Sequence, residues 1–135
     1  MEKETFKNSK NISFVNPSTV QYLKQCESLA EAQMCFLDPL ELDLKDYVFF
    51  PLNDNKNNLS AGGSHWSLLC VDKKNSQFIH YDSITNSSNE NDARKFFQKY
   101  KSYFKVNKFI NAKDFPQQNN SSDCGVYVCG KLLSF

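Results

Sequence analysis

The sequence predicts a mixed α+β domain, a small central sheet of about four strands with helices packed against it. Three observations lead there. Runs rich in β-branched and aromatic residues, at 47–52, 65–71, 76–82 and 105–110, are separated by polar, turn-rich stretches. Phe96, Phe97, Tyr100, Tyr103 and Phe104 recur at helical spacing and mark one long helix over about 90–104 whose aromatic face belongs on a sheet. From Asp123 onward, Cys124, Val126, Val128, Cys129, Leu132 and Leu133 take on the spacing of a short, mostly buried helix.

Taken in order, residues 1–11 are polar and read as a loose, flexible tail. Residues 12–15 form a short edge strand. Asn16-Pro17 is a helix-start signal, with asparagine as cap and proline in the first turn, and the helix runs to about Gln25. A second helix covers 29–36 and ends near Asp38-Pro39. In the strand 47–52, Pro51 requires either a strand end or a sheet edge. The polar loop 53–64 contains Gly62 and Gly63, which read either as a plain hairpin loop or as a place where another backbone comes close. The strands 65–71 and 76–82 follow, joined by Asp72-Lys-Lys-Asn-Ser76 as a hairpin.

Length and composition bound the function. At 135 residues the chain holds one domain with a real core. The net charge of +1, with Lys and Arg spread along the chain, leaves no nucleic-acid footprint and no membrane-surface patch. The charged start lacks an apolar signal region and no long apolar run follows, so a soluble intracellular protein is expected, in cytoplasm or nucleus. Five cysteines, an odd number without secretory context, are expected as reduced thiols. Without Cys-x-x-Cys, and with no ligand spacing among His65, His80, Cys124 and Cys129, no metal site or other cofactor is expected.

The chemistry lies in Cys124. Ser122 or Asp123 can cap the helix that begins there, so Cys124 sits where unpaired N–H groups and the dipole favour an anion. A thiolate is the nucleophilic form of cysteine. Most free cysteines are merely small buried apolar residues, so a base decides between the two readings. The chain has two histidines. With Lys73 and Lys74 at the hairpin tip, Val71 faces Ser76 and His65 faces Asp82, with Cβ atoms about 4.5–5.5 Å apart. A carboxylate beside an imidazole fixes its tautomer and stabilises the imidazolium. Lys-Lys is not a favoured two-residue turn, so a slip or longer loop stays open. His80 is the rival base on the same face, one pair inward; between Ile79 and Tyr81 it is expected to pack.

Gly62-Gly-Ser-His-Trp-Ser-Leu-Leu69, His80-Tyr-Asp-Ser83 and Pro116-Gln-Gln-Asn-Asn-Ser-Ser-Asp-Cys-Gly125 resemble the catalytic motifs of the sentrin/SUMO-specific cysteine proteases. The order His, Asp, Gln, Cys is that family's order. Asn53-Asp-Asn55, Ala61-Gly-Gly-Ser-His65, Ile12-Ser-Phe-Val-Asn-Pro17 and Phe36-Leu-Asp-Pro-Leu40 resemble its deneddylating branch. The resemblance runs from about Ile12 to Val128.

The resemblance implies a papain-like fold of the adenain and sentrin-protease type, with the nucleophile at a helix N-terminus. It implies a cysteine-type peptidase that cleaves after the C-terminal diglycine of a ubiquitin-like modifier. The neddylation modifier and its conjugates, such as cullins, are the expected partners of a monomeric enzyme. A SUMO-directed protease and a catalytically weak modifier-binding remnant are the alternatives. By the same resemblance Cys124 is the nucleophile, His65 the base, Asp82 its orienter and Gln118 the oxyanion-hole donor. Gln117 is the other candidate for that last role, and the spacing from Asp123-Cys124-Gly125 favours Gln118. Trp66 roofs a tunnel that admits only a diglycine, with Gly62 and Gly63 alongside the substrate; its plainer role is a buried core indole. The upstream Trp-Leu-Asn-Asp-type motif and the helices that follow the nucleophile helix in family members are not in this sequence, so 12–135 reads as a protease domain truncated at both ends.

Overall fold

The computed structural model describes residues 11–54, 65–84 and 87–112. Within them lies one five-stranded sheet, ordered β1 (Ile12–Phe14), β2 (Tyr47–Asn53), β3 (Trp66–Asp72), β4 (Gln77–Tyr81) and β5 (Lys108–Asn111). The outer pairs β1–β2 and β4–β5 are parallel, while β2–β3 and β3–β4 are antiparallel. The sheet thus has one strand more than expected. The addition is the edge strand β1, which was read as a strand but not counted into the sheet.

Helix α1 (Pro17–Gln25) starts as its sequence dictates: Asn16 Oδ1 accepts from Thr19 N at 2.9 Å, and Pro17 needs no partner in the first turn. Its last carbonyls are taken by side chains of the long helix Ser88–Phe104. Leu23 O accepts from the Tyr100 hydroxyl at 2.6 Å and from Lys99 Nζ, which also reaches Lys24 O. The second helix departs from expectation. Only Leu29–Ala32, here α2, is α-helical, and Gln33–Leu37 widens into a π-turn before the chain leaves at Asp38. Helix α3 (Ser88–Phe104) begins two residues earlier than read, capped by Ser87, and ends on Lys105 in the left-handed region at φ 58°.

The aromatic stripe of α3 does what its spacing implies. Phe96, Phe97, Tyr100 and Phe104 are buried against Phe50 and Phe78 of the sheet. The ring centroids lie 4.9 Å apart for Phe50–Phe96 and 5.2 Å for Phe78–Phe97, in tilted and edge-on arrangements that suit ring quadrupoles. Because strand side chains alternate, Leu69, Val71 and Phe78 join this core while Phe49, Leu68, Cys70 and Tyr81 form a second cluster on the opposite face. Pro51 sits opposite Leu68, past the last β1 pairing at Phe49, so it occupies a locally open edge as its missing N–H requires.

The hairpin register is a correction. Asp72 pairs with Gln77 and Val71 with Phe78, not with Ser76. A two-residue Lys-Lys tip would need positive φ at one or both positions, which lysine disfavours. The chain instead closes through four residues, Lys73–Ser76, with Asp72 accepting from Asn75 N and Asn75 Nδ2 and with Ser76 at φ 56°. The shift is by two residues, an even number, so every side chain keeps its face.

Candidate active site

On the α3 face of the sheet, His65 stands immediately before β3 and Asp82 immediately after β4. Extending the ladder puts Asp82 opposite Ser67, so it meets His65 on the diagonal rather than head-on. His65 Nε2 lies 2.6 Å from Asp82 Oδ1, and both side chains are over nine-tenths buried. With Nε2–H donating to the carboxylate, the neutral ring carries its lone pair on Nδ1. That Nδ1 is buried and has no hydrogen-bond partner among the described residues.

The main chain of His65 is clamped as firmly as its ring. Its N–H donates to Asp54 Oδ1 at 3.2 Å, and its carbonyl accepts from Asp54 N at 3.1 Å and from Asn89 Nδ2 at 3.4 Å. The Asn53-Asp-Asn55 motif therefore has a physical task at Asp54, one that the sequence alone did not assign. The carboxylate of Asp82 is held too. Oδ1 accepts from Ile84 N at 2.9 Å, and Oδ2 accepts from the Ser87 hydroxyl. Ser87 and Asn89 were also missed. The signal was present as Ser87-Ser-Asn-Glu90, a Ser-x-x-Glu helix start that the reading of a helix from 90 passed over.

His80, the rival base, is fully buried and has neither nitrogen open. Nδ1–H donates to Asn111 Oδ1 at 3.1 Å, and Nε2 faces the Ser67 hydroxyl at 2.8 Å. Burial pushes its pKa below the ordinary histidine value, outweighing the opposing pull of Asp82. The unfolded chain therefore binds a proton more readily than the folded one. Stability from this group is in place above about pH 6.5, the unfolded value, and is lost as pH falls below it. The unfolding midpoint is expected to drop on acidification from pH 7 to pH 5, and His80→Gln to flatten that drop. An unchanged slope in the variant counts against the assignment.

Trp66 is half-buried beside Phe49, Leu68, Cys70 and Tyr81, on the face opposite His65. Cys124, Gln118, Gln117, Gly62, Gly63 and the helix read over 123–134 lie outside the described residues. Among the described residues, no group of His, Cys, Asp and Glu is arranged to hold a metal ion, and no helix is long and apolar enough to cross a membrane.

A buried imidazole set against a carboxylate, with one ring nitrogen unpartnered among the described residues, is the base–orienter arrangement that nucleophilic catalysis uses. The chain belongs to the Ulp1 protease family, matching its C-terminal catalytic domain over residues 2–133. Sentrin-specific protease 8 of Homo sapiens is 41% identical over 124 residues, which span 89% of this chain and 57% of that protein. NEDD8-specific protease 1 of Arabidopsis thaliana is 34% identical over 127 residues, 92% of this chain and 55% of that protein. Among solved structures, the C-terminal Ulp1 protease domain in complex with Smt3, the yeast ortholog of SUMO, superposes with a TM-score of 0.71 at 27% identity. The match covers 97% of this chain and 59% of that one, and it establishes the fold that the motif resemblance implied. The chain thus spans a little over half the length of these curated relatives.

Proposed function

We propose that the chain carries the catalytic machinery of a cysteine-type peptidase that cleaves after the C-terminal diglycine of a ubiquitin-like modifier, most directly the neddylation modifier. The observation that carries the proposal is the His65–Asp82 pair, with Nδ1 unpartnered among the described residues, in a chain of this family. Cys124 Sγ attacks the carbonyl carbon of the terminal glycine, and the thiol proton passes to His65 Nδ1. The imidazolium then protonates the leaving amine as the C–N bond breaks, and water hydrolyses the thioester with His65 again as base. Gln118 and the Cys124 N–H serve the oxyanion, a donor pair whose loss typically costs on the order of 10²–10³ in rate per donor. Trp66, Gly62 and Gly63 line the path of the diglycine.

Residues 12–135 act in this reading as one protease domain, working as a monomer on processed precursors and on conjugates such as cullins. The free thiols at Cys26, Cys35 and Cys70 suit a reducing cytoplasm or nucleus. A SUMO-directed activity is the second reading, supported by the Ulp1 domain whose partner is a SUMO ortholog. The test is direct. The chain is incubated with the neddylation modifier, SUMO or ubiquitin, each carrying a C-terminal electrophile, and covalent adducts are weighed. Adduct with the neddylation modifier alone is expected; adduct only with SUMO moves the assignment to the second reading, and no adduct with any rejects the peptidase.

A further inference from the structure

The geometry points to Ser87 as a positioning residue for the His65–Asp82 pair, a role that rests on the proposed peptidase reading for its purpose but not for its measurement. Asp82 lies beyond the last paired residue of β4, so the ladder does not fix it. Among the described residues, its carboxylate is held by Ile84 N and by Ser87 at the first turn of α3. Asn89, fully buried, ties that turn to the sheet through one amide: Nδ2 lies 3.0 Å from Ser67 Oγ, 3.3 Å from Leu52 O and 3.4 Å from His65 O. The turn is thereby locked to the backbone of His65 itself. Two residues earlier, Ser87 accepts from Asn89 N at 3.2 Å and turns its own proton onto Asp82 Oδ2. Oδ1 already accepts from Ile84 N and faces His65 Nε2.

The consequence is mechanical. A carboxylate held at one oxygen can rotate about Cβ–Cγ and trade its oxygens; held at both, it presents Oδ1 to the imidazole in one orientation. Ser87 supplies the second hold. Without it, Asp82 keeps its charge but loses one of the contacts that aim it, and the Nε2–H tautomer is enforced less firmly. A misplacement of about 1 Å in such a group can cost on the order of 10² in rate.

The test separates this from helix capping, which Ser87 also performs. Glycine caps a helix nearly as well as serine but has no hydroxyl, and threonine keeps both. In the 135-residue chain, Ser87→Gly is expected to lower kcat on the neddylation modifier aminocoumarin amide by on the order of 10–10²-fold with KM little changed, and Ser87→Thr to restore it. The second readout needs no activity. Nitrogen-15 NMR of the histidine rings should show His65 as the Nε2–H tautomer in the native chain and as a tautomer mixture in Ser87→Gly, with the core amide spectrum unchanged. Should Ser87→Gly not fold, Ser87→Ala takes its place. A native tautomer in the glycine or alanine variant overturns the inference, whether or not kcat falls. If the native chain turns over no modifier, the peptidase reading fails and the tautomer measurement still decides Ser87.

Discussion

Asp82→Asn is expected to reduce turnover by on the order of 10⁴, the loss seen when the same exchange is made in a Ser-His-Asp triad. The reason lies in the direction of one hydrogen bond. In the native chain Nε2–H donates to Asp82 Oδ1, which leaves the ring's lone pair on Nδ1. Asparagine is nearly the same size, but it can turn its NH₂ toward Nε2, as well as losing the negative charge that stabilises the imidazolium. The proton then moves to Nδ1, the nitrogen that has to receive one. Fold and modifier affinity should survive, since asparagine fills the same volume and its one oxygen, at the Oδ2 position, still accepts from the Ser87 hydroxyl. Turnover is measured on a modifier aminocoumarin amide and affinity by titration. Near-native kcat in a folded Asp82→Asn protein would show that the pair is structural.

Cys124→Ala is expected to abolish adduct formation with an electrophile-bearing modifier, while alanine at Cys26, Cys35, Cys70 or Cys129 leaves it intact. The structure gives reasons for three of the four. Cys70 is fully buried in the cluster opposite His65. Cys26 is half-buried, with its thiol at 3.3 Å from Ser28 O at the end of α1. Cys35 is exposed on the π-turn, and both histidines of the chain are engaged elsewhere. Among the described thiols it is the one most open to indiscriminate alkylation, so the modifier-borne electrophile rather than a small reagent has to be used. Labelling that persists in Cys124→Ala and disappears in Cys35→Ala would transfer the nucleophile to Cys35.

Much of this was legible because it is governed by local rules. The cap at Asn16, the aromatic stripe of α3 and the burial of His80 each follow from a few neighbouring residues. The hairpin register was not legible to the residue. It hung on how Asp72, Asn75 and Ser76 share a four-residue turn, a choice made by side-chain hydrogen bonds that periodicity does not encode. The reading of His65 with Asp82 survived the slip because a two-residue shift preserves the face, and because a diagonal neighbour is still within reach of an imidazole. Ser87 left a local signal, the Ser-x-x-Glu helix start, but its hold on Asp82 was not part of that signal. Asp54 and Asn89 act across the sequence on residues brought near by the fold, and nothing in composition announces those contacts.

The edge of β2 beside the site has a bearing on how the protein avoids its own copies. Beyond Phe49 the outer side of this strand is no longer paired by β1, which would ordinarily offer a template for a stray strand. Two chemical features spoil that template. Pro51 has no N–H to give, and Asn53 O is already occupied by Lys24 Nζ, reaching over from α1. A ladder needs donors and acceptors in alternation, and here one of each is withdrawn within three residues. Edge-to-edge aggregation is disfavoured at this point, and an extended peptide cannot enter the site by adding itself as a strand along the outer edge of β2.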